Sequence, residues 1–355
     1  MSESVNKCSP RLTVVMPVFN RPKELVVMVD SILANTFRDF ELIAIDDGSE
    51  AQTLALLKQY VEHDSRVILL HRAKSPKGAQ TCRNIGLENA RGEYIIFVDS
   101  DDYVTPECFA TRLRHISERP ELDFMVFPSG GYNSNDGFNP VGHQFGYTVF
   151  GDDLCAFLRR TLPFVVWNNI YRTEALREHS IKWDTQLLSL QDSLFNTECL
   201  LADMHYDYAH VSPNYGWRVE DNAGSISKRI VTEPHFRSHL YTIEKVYKLV
   251  QSKYGHRYDR DLFRGVLYLY NMIFAEGIDD ARARLLVDVV RSYSRLGGFI
   301  LRSQVSFTHV LELILTKRKA RVLPMVAYLI WLRRENKRIQ ERRAQLASGL
   351  MESQT

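Results

Sequence analysis

The chain reads as an α/β fold: a mostly parallel sheet with helices on both faces, followed by a mainly helical C-terminal region. Three observations predict this. Apolar runs of strand length alternate with helix-length amphipathic stretches through the first 128 residues. Strands separated by helices of that length cannot be joined as hairpins, so neighbouring strands are parallel. From His235 onward the aromatic and leucine positions keep helical spacing almost without interruption.

The elements follow in order. LTVVMPVF (Leu12–Phe19) is continuously apolar, as a strand buried on both faces must be. Asn20, Arg21 and Pro22 close it and open a helix through KELVVMVDSILAN. FELIAI (Phe40–Ile45) is a second strand ending in DDGS, and a helix through Leu54–Val61 follows. The strand RVILLH, a helix around Arg83–Ala90 and the strand EYIIFV lead into DSDD. A helix from Thr105 then precedes the short strand DFMVFP. Beyond Ser129 the pattern weakens: GGYNSNDGFNP is a Gly/Asn-rich loop or hairpin, VVWNNIYRTEALREHSI is strand, turn and helix, and Gln191–Asp203 is a helix. The expected organisation is 10–234 as one α/β domain, divided into 10–128 and 129–234. A helical region, 235–316, and an apolar and basic tail, 317–355, complete it.

Composition sets limits. With 45% hydrophobic and 25% charged residues in 355, the chain has enough apolar material for one large or two modest cores. The net charge is only +2, but ten Lys/Arg stand against two Glu between Lys317 and Arg343. Five scattered cysteines form no C-x-x-C pair, which indicates neither a zinc knuckle nor a disulfide framework and fits a reducing cytoplasm. The polar start lacks the apolar core of a secretion signal, and the longest apolar run, Val322–Leu332, spans about 16 Å as a helix. Beside basic residues, that run is expected to lie on an anionic membrane surface; a core-packed helix is the alternative. Basic residues in a tail beside an apolar segment do not make the folded basic face of a nucleic-acid binder.

Two acidic clusters fall at carboxyl ends of strands, where ligands of parallel sheets bind: Asp46-Asp47 and Asp99-Ser100-Asp101-Asp102. Two unit charges about 4 Å apart repel by about 1 kcal/mol in water and several-fold more when partly buried. A hard divalent cation, Mn²⁺ or Mg²⁺, removes that cost and holds substrate phosphates in its shell. Neighbouring strand tips carrying both clusters therefore look like a nucleotide-diphosphate site.

The stretches VVMPVFNRPKELVVMVDSIL, FELIAIDDGS and GAQTCRNIGLENARGEYIIFVDSDDYV resemble, in that order, the N-terminal half of family 2 glycosyltransferases of the GT-A fold, over about Leu12–Val104. WNNIYR, QDSLFN and GSIS resemble more weakly the acceptor half of bacterial members that build surface polysaccharides. The resemblance implies a nucleotide-sugar site of Pro17, Phe19, Asp46, Asp47, Arg83, Asp99 and Ser100. Asp46 would accept a uracil N3–H, which cytosine lacks. Pro17 and Phe19 would line the base and ribose pocket or pack the strand end. Arg83 would grip the pyrophosphate. Asp99 would hold ribose or help the metal, which Asp101, Asp102 or both would ligate.

Asp192 would be the base that deprotonates an acceptor hydroxyl, with Gln191 standing where the family commonly has Glu. The implied reaction is inverting transfer of a sugar from a UDP-sugar to a glycan or lipid-linked acceptor, in bacterial capsule, lipopolysaccharide or exopolysaccharide synthesis. The implied location is the inner face of the plasma membrane. The competing readings are a haloacid-dehalogenase-type phosphatase, which also places D-x-D after a strand, and an inactive membrane scaffold. Trp167 would stack on a sugar or pack in the core, and Arg218, Ser225 and Ser227 would close over the diphosphate or form a surface turn. His235 and His239 share the i, i+4 spacing of a metal pair but lack the accompanying Glu of such a motif.

Overall fold

The structure, a computed structural model, describes residues 9–141, 145–148, 151–219, 232–275 and 280–293, with isolated positions up to 345. Its centre is β1 (Leu12–Val18), whose seven residues are all buried. β1 pairs in parallel with β2 (Phe40–Asp46) on one side and β4 (Tyr94–Phe97) on the other. β3 (Val67–His71) extends the sheet beyond β2. Across β1 the pleat sends Leu12, Val14, Met16 and Val18 into one core and Val15 into the other.

The first core is closed by α1 (Pro22–Leu33), by Leu57 of α2 (Ala51–His63), and by α4 (Cys108–Ser117). The second is closed by α3 (Ala79–Asn89), α6 (Thr173–Glu178) and α7 (Gln191–Leu201). Helix α3 lies so close to β1 that a Cβ on Gly86 would stand 2.3 Å from Val15 Cγ1. Only glycine admits that approach, which brings the start of α3 over the carboxyl edge of the sheet.

The full sheet runs β10-β6-β9-β4-β1-β2-β3, with β6 (Phe124–Val126), β9 (Asn169–Arg172) and β10 (Tyr206–Tyr208). It is mostly parallel, as the alternation predicts. β9, however, is antiparallel to both neighbours, β4 and β6. A second sheet of four short strands lies in the order β5-β11-β7-β8. Its members are β5 (Tyr103–Val104), β7 (Gly130–Asn133), β8 (Gly137–Asn139) and β11 (Tyr215–Arg218). The Gly/Asn-rich stretch is thus an ordered hairpin, β7 against β8. Strands of two to four residues carry too few positions to show a period, so this sheet leaves no pattern in the sequence.

The C-terminal helices α8 (Glu233–Tyr254) and α9 (Asp259–Ala275) share a core with α5 (Asp153–Leu158) and α7, in which Val246, Tyr247 and Leu262 meet Leu154, Leu158 and Leu194. α10 (Asp280–Tyr293) adds Leu286 and Val290 to a further cluster with Phe236 and Leu269. Among the described residues no helix is long and apolar enough to cross a membrane. Residues 294–333, and with them the apolar run Val322–Leu332, lie outside the described residues, as do Ser225 and Ser227.

Candidate active site

β1, β2 and β4 run in one direction, so their carboxyl ends share one edge, and the register sets Val18 beside Asp46. The two acidic clusters both lie on this edge but not on neighbouring strands, as the sequence suggested. β1 separates them by two strand spacings, about 10 Å, so one cation cannot be held by both. The edge thus divides into the β2 end at Asp46 and an acidic loop at Asp99–Asp102.

Asp46 is ringed by donors. Its Oδ1 accepts from Ser49 N at 2.9 Å, and its Oδ2 from Gly48 N at 3.1 Å, with His71 Nδ1 3.4 Å away. Burial alone would raise its carboxyl, but the hydrogen bonds from Ser49, Gly48 and His71 outweigh it and hold the group below the usual carboxylate range. Asp47 is buried and takes a hydrogen bond from Arg72 Nε. Pro17 is buried within β1, whereas Phe19 is 46% exposed just past it, with Lys77 Nζ 3.5 Å from its ring centroid.

The acidic loop is held residue by residue. Asp99 Oδ1 accepts from Arg83 Nη2 at 2.6 Å. Asp101 is ion-paired with Arg21, which follows β1 in the left-handed conformation, φ 61°, and starts α1. Asp102 is buried; Tyr215 Oη donates to its Oδ2 at 2.7 Å and Arg218 N to its Oδ1 at 2.8 Å. Burial, then the charge of Asp99, push Asp102 up to about 7 against those bonds. Ser100 is buried between them. Arg218 Nε also donates to Asp101 O at 2.8 Å, so β11 braces the loop from the second sheet.

α7 reaches the same place from the second half of the domain. Leu190, at φ 61°, turns the chain so that Gln191 and Asp192 open the helix. Gln191 Oε1 accepts from Arg83 Nη1 at 3.0 Å, and Asp192 Oδ1 is buried with no hydrogen-bond partner among the described residues. Burial pushes Asp192 up to about 6, with Arg83 lowering it and Asp99 raising it. A carboxylate raised toward neutrality and left one open acceptor atom has the chemistry of a general base.

Several sequence candidates go elsewhere. Trp167 stacks on Tyr215, ring centroids 5.9 Å apart, and packs against the first core. His235 Nδ1 lies 2.5 Å from Ser189 Oγ, and His239 Nδ1 lies 3.5 Å from Arg160 Nη1. Sequence reasoning passed over Arg21, Arg72, Trp183 and Tyr215. Trp183, whose ring supports the Arg83 guanidinium at 4.4 Å, is an isolated tryptophan in the sequence with no motif around it. Among the described residues no three His, Cys, Asp or Glu side chains converge as a ready-made metal cage.

The model of the family described as "Glycosyl transferase family 2" matches residues 13–180. The chain is 33% identical over 147 residues to the glycosyltransferase GlyG of Streptococcus pneumoniae serotype 4, covering 41% of this chain and 46% of GlyG. It is 30% identical over 224 residues to the uncharacterized glycosyltransferase YibD of Escherichia coli K12, covering 60% of this chain and 61% of YibD. The chain spans about half the length of the curated relatives it matches. Among solved structures, residues 1–349 of S. aureus TarS in complex with UDP-GlcNAc superpose with a TM-score of 0.65 at 17% identity, covering 97% of this chain and 92% of that one. The sequence match spans the strands that bear both acidic clusters, the superposition carries the GT-A fold, and residues 13–180 are what the chain shares with the family 2 glycosyltransferases.

Proposed function

We propose that the protein is an inverting glycosyltransferase that moves a sugar from a UDP-sugar to a hydroxyl of a glycan or lipid-linked acceptor in bacterial surface-polysaccharide synthesis. One observation carries the reading: Asp192, with an unpartnered buried oxygen, stands at the α7 start that also holds the arginine facing the acidic loop. The names of the relatives support the substrate class, since one is a poly(ribitol-phosphate) β-glucosyltransferase and the TarS structure contains UDP-GlcNAc. A phosphatase would need no base on a second structural half, and the family match leaves that reading without support.

The residues fit a divalent cation at the acidic loop. Asp99 and Asp101 are hard oxygen donors that each keep exposed carboxylate surface beside their arginine partners. Asp101 and Asp99, both partly exposed, would hold Mn²⁺ or Mg²⁺. Asp102, both oxygens engaged by Tyr215 and Arg218, positions the loop instead. When bound, the cation offsets charge on the departing diphosphate.

The chain's own groups supply the rest. Asp46 accepts the uracil N3–H with lone pairs left free by Gly48 and Ser49, and Phe19 covers the ring. Arg83 donates to the diphosphate. Asp192 removes the acceptor hydroxyl proton as its oxygen bonds to the anomeric carbon and the bond to the phosphate oxygen breaks, so one displacement inverts the centre. The basic residues flanking Val322–Leu332 support a peripheral contact with anionic lipid.

The test is calorimetric binding of UDP, CDP and GDP with and without Mn²⁺, followed by UDP-sugar turnover in wild type and Asp192→Asn. Metal-dependent UDP binding in both proteins is expected, with turnover at least a hundredfold lower in the variant. UDP binding with no turnover on any acceptor would instead establish a scaffold.

A further inference from the structure

The register of the second sheet puts Tyr103, Tyr132, Phe138 and Arg218 on one face. Tyr103 stands opposite Gly216, Tyr132 stands between Arg218 and Phe138, and directly paired residues share a face. Gly216 and its partner Gly130 add no side chain there, which leaves the rings their room. A Cβ on Gly216 would stand 2.8 Å from Phe138 Cδ2 and 3.0 Å from Tyr132 Cβ. The Tyr103 and Tyr132 rings stack with centroids 5.1 Å apart and planes 12° from parallel, and Phe138 lies 6.1 Å from Tyr103. All three are half-buried, and neither phenol hydroxyl has a hydrogen-bond partner among the described residues. Clustered rings with free polar tips suit a ligand that is apolar on its face and polar at its edge.

We infer that this aromatic platform binds a neutral sugar ring of the acceptor glycan, away from the hydroxyl that reacts. Its place ties it to the candidate active site. Tyr103 directly follows Asp102, and Arg218 Nε donates to Asp101 O at 2.8 Å while its guanidinium carbon lies 5.7 Å from the Tyr132 ring centroid. One guanidinium therefore spans the gap between the platform and the acidic loop. The rim has the matching chemistry. The hairpin from Tyr132 to Asn139 reads YNSNDGFN, with Ser134, Asn135, Asp136 and Asn139 exposed. A pyranose offers a face of C–H groups and an edge of hydroxyls, which rings and amides of this kind complement. Charge selects among ligands. The hairpin carries Asp136 and no Lys or Arg, so it does not attract a phosphate-bearing polymer or an anionic lipid headgroup. Arg218, beside it, is engaged with Asp101 O and Ser134 Oγ. Trp167, the tryptophan the sequence offered for a sugar, packs against the first core instead.

This inference rests on the proposed glycosyltransferase reading, and one set of measurements separates their failures. Saturation-transfer NMR is recorded with maltotetraose, cellotetraose, chitotetraose and, as the anionic counterpart, ribitol 5-phosphate. The proteins are wild type, Tyr132→Phe, Tyr132→Ala and Phe138→Ala, and UDP binding with Mn²⁺ is measured calorimetrically on the same samples. Wild type should bind at least one neutral tetrasaccharide and not ribitol 5-phosphate. Tyr132→Ala and Phe138→Ala should each weaken that sugar about tenfold, the loss of one stacked ring. Tyr132→Phe, which keeps the ring and loses one hydroxyl, should weaken it about threefold. UDP affinity should stay within twofold in all three variants, which also shows that they fold. UDP binding by wild type with no tetrasaccharide bound would overturn the inference and leave the proposed function intact. A tetrasaccharide held equally by wild type and Tyr132→Ala would place its site elsewhere, and ribitol 5-phosphate binding lost in Tyr132→Ala would overturn the charge argument. Wild type that binds no UDP with Mn²⁺ would remove the proposed function and the acceptor role with it.

Discussion

The end of β2 and the start of α7 hold the same side chain in opposite electrostatic states. At the β2 end, Asp46 is buried but ringed by the amides of Gly48 and Ser49 with His71 beside them, and its carboxyl is held down. At the start of α7, Asp192 is half-buried, its Oδ1 is shut off from solvent with no partner among the described residues, and its carboxyl rises to about 6. Burial raises both; donors decide the sign. On the proposed function the first group would read an N–H as a fixed charge, and the second would accept a proton near neutral pH. Carboxylates of equal rank in the sequence thus differ in charge state by the number of N–H groups the fold turns toward them.

The pH profile tests the division most severely. With Asp192 near 6, kcat/KM should be level above about pH 7. It should fall about tenfold per unit below 6, reaching about a hundredth at pH 4. Uridine binding should hold over the same range, because Asp46 is still ionised there and uridine carries no phosphate to titrate. A common collapse of binding and turnover near pH 6 would erase the contrast.

Next in size is Asp46→Asn. The amide cannot accept from Gly48, Ser49 and a uracil N3–H at once, so UDP affinity should drop about tenfold while CDP changes by less than twofold. Equal losses for both nucleotides would reduce Asp46 to a turn former.

The smallest effect is on stability. Asp192 binds its proton more tightly folded, near 6, than unfolded, near 3.8. That contribution is complete below 3.8 and is lost as pH rises through 6, where the folded state must carry a buried charge. Asp192→Asn, which mimics the protonated form, should therefore melt about 2 °C above wild type at pH 7.5 and level with it at pH 4. A variant less stable at pH 7.5 would mean that the carboxylate holds the helix start instead.

Much of the fold was legible because it is local. Phe40–Ile45 and EYIIFV read as buried strands since their apolar runs are unbroken, and the structure pairs both with β1 in parallel. The direction of β9 was not legible, because an antiparallel strand inside a mostly parallel sheet depends on the path of the loops that deliver it. The acidic clusters stood out as short stretches, but that β1 lies between them did not. Nor could the sequence separate Asp101 from Asp102. That difference comes from Tyr215 and Arg218, more than a hundred residues downstream.

The sequence by itself determined which carboxylates end strands and which one opens a helix, because strand length, apolar period and turn chemistry act within a few residues. Only the tertiary structure decided what each carboxylate faces: amides for Asp46, Arg21 for Asp101, Tyr215 for Asp102 and an open oxygen for Asp192. Charge state follows from burial and donors, and those arrive from elements that meet only when the chain is folded.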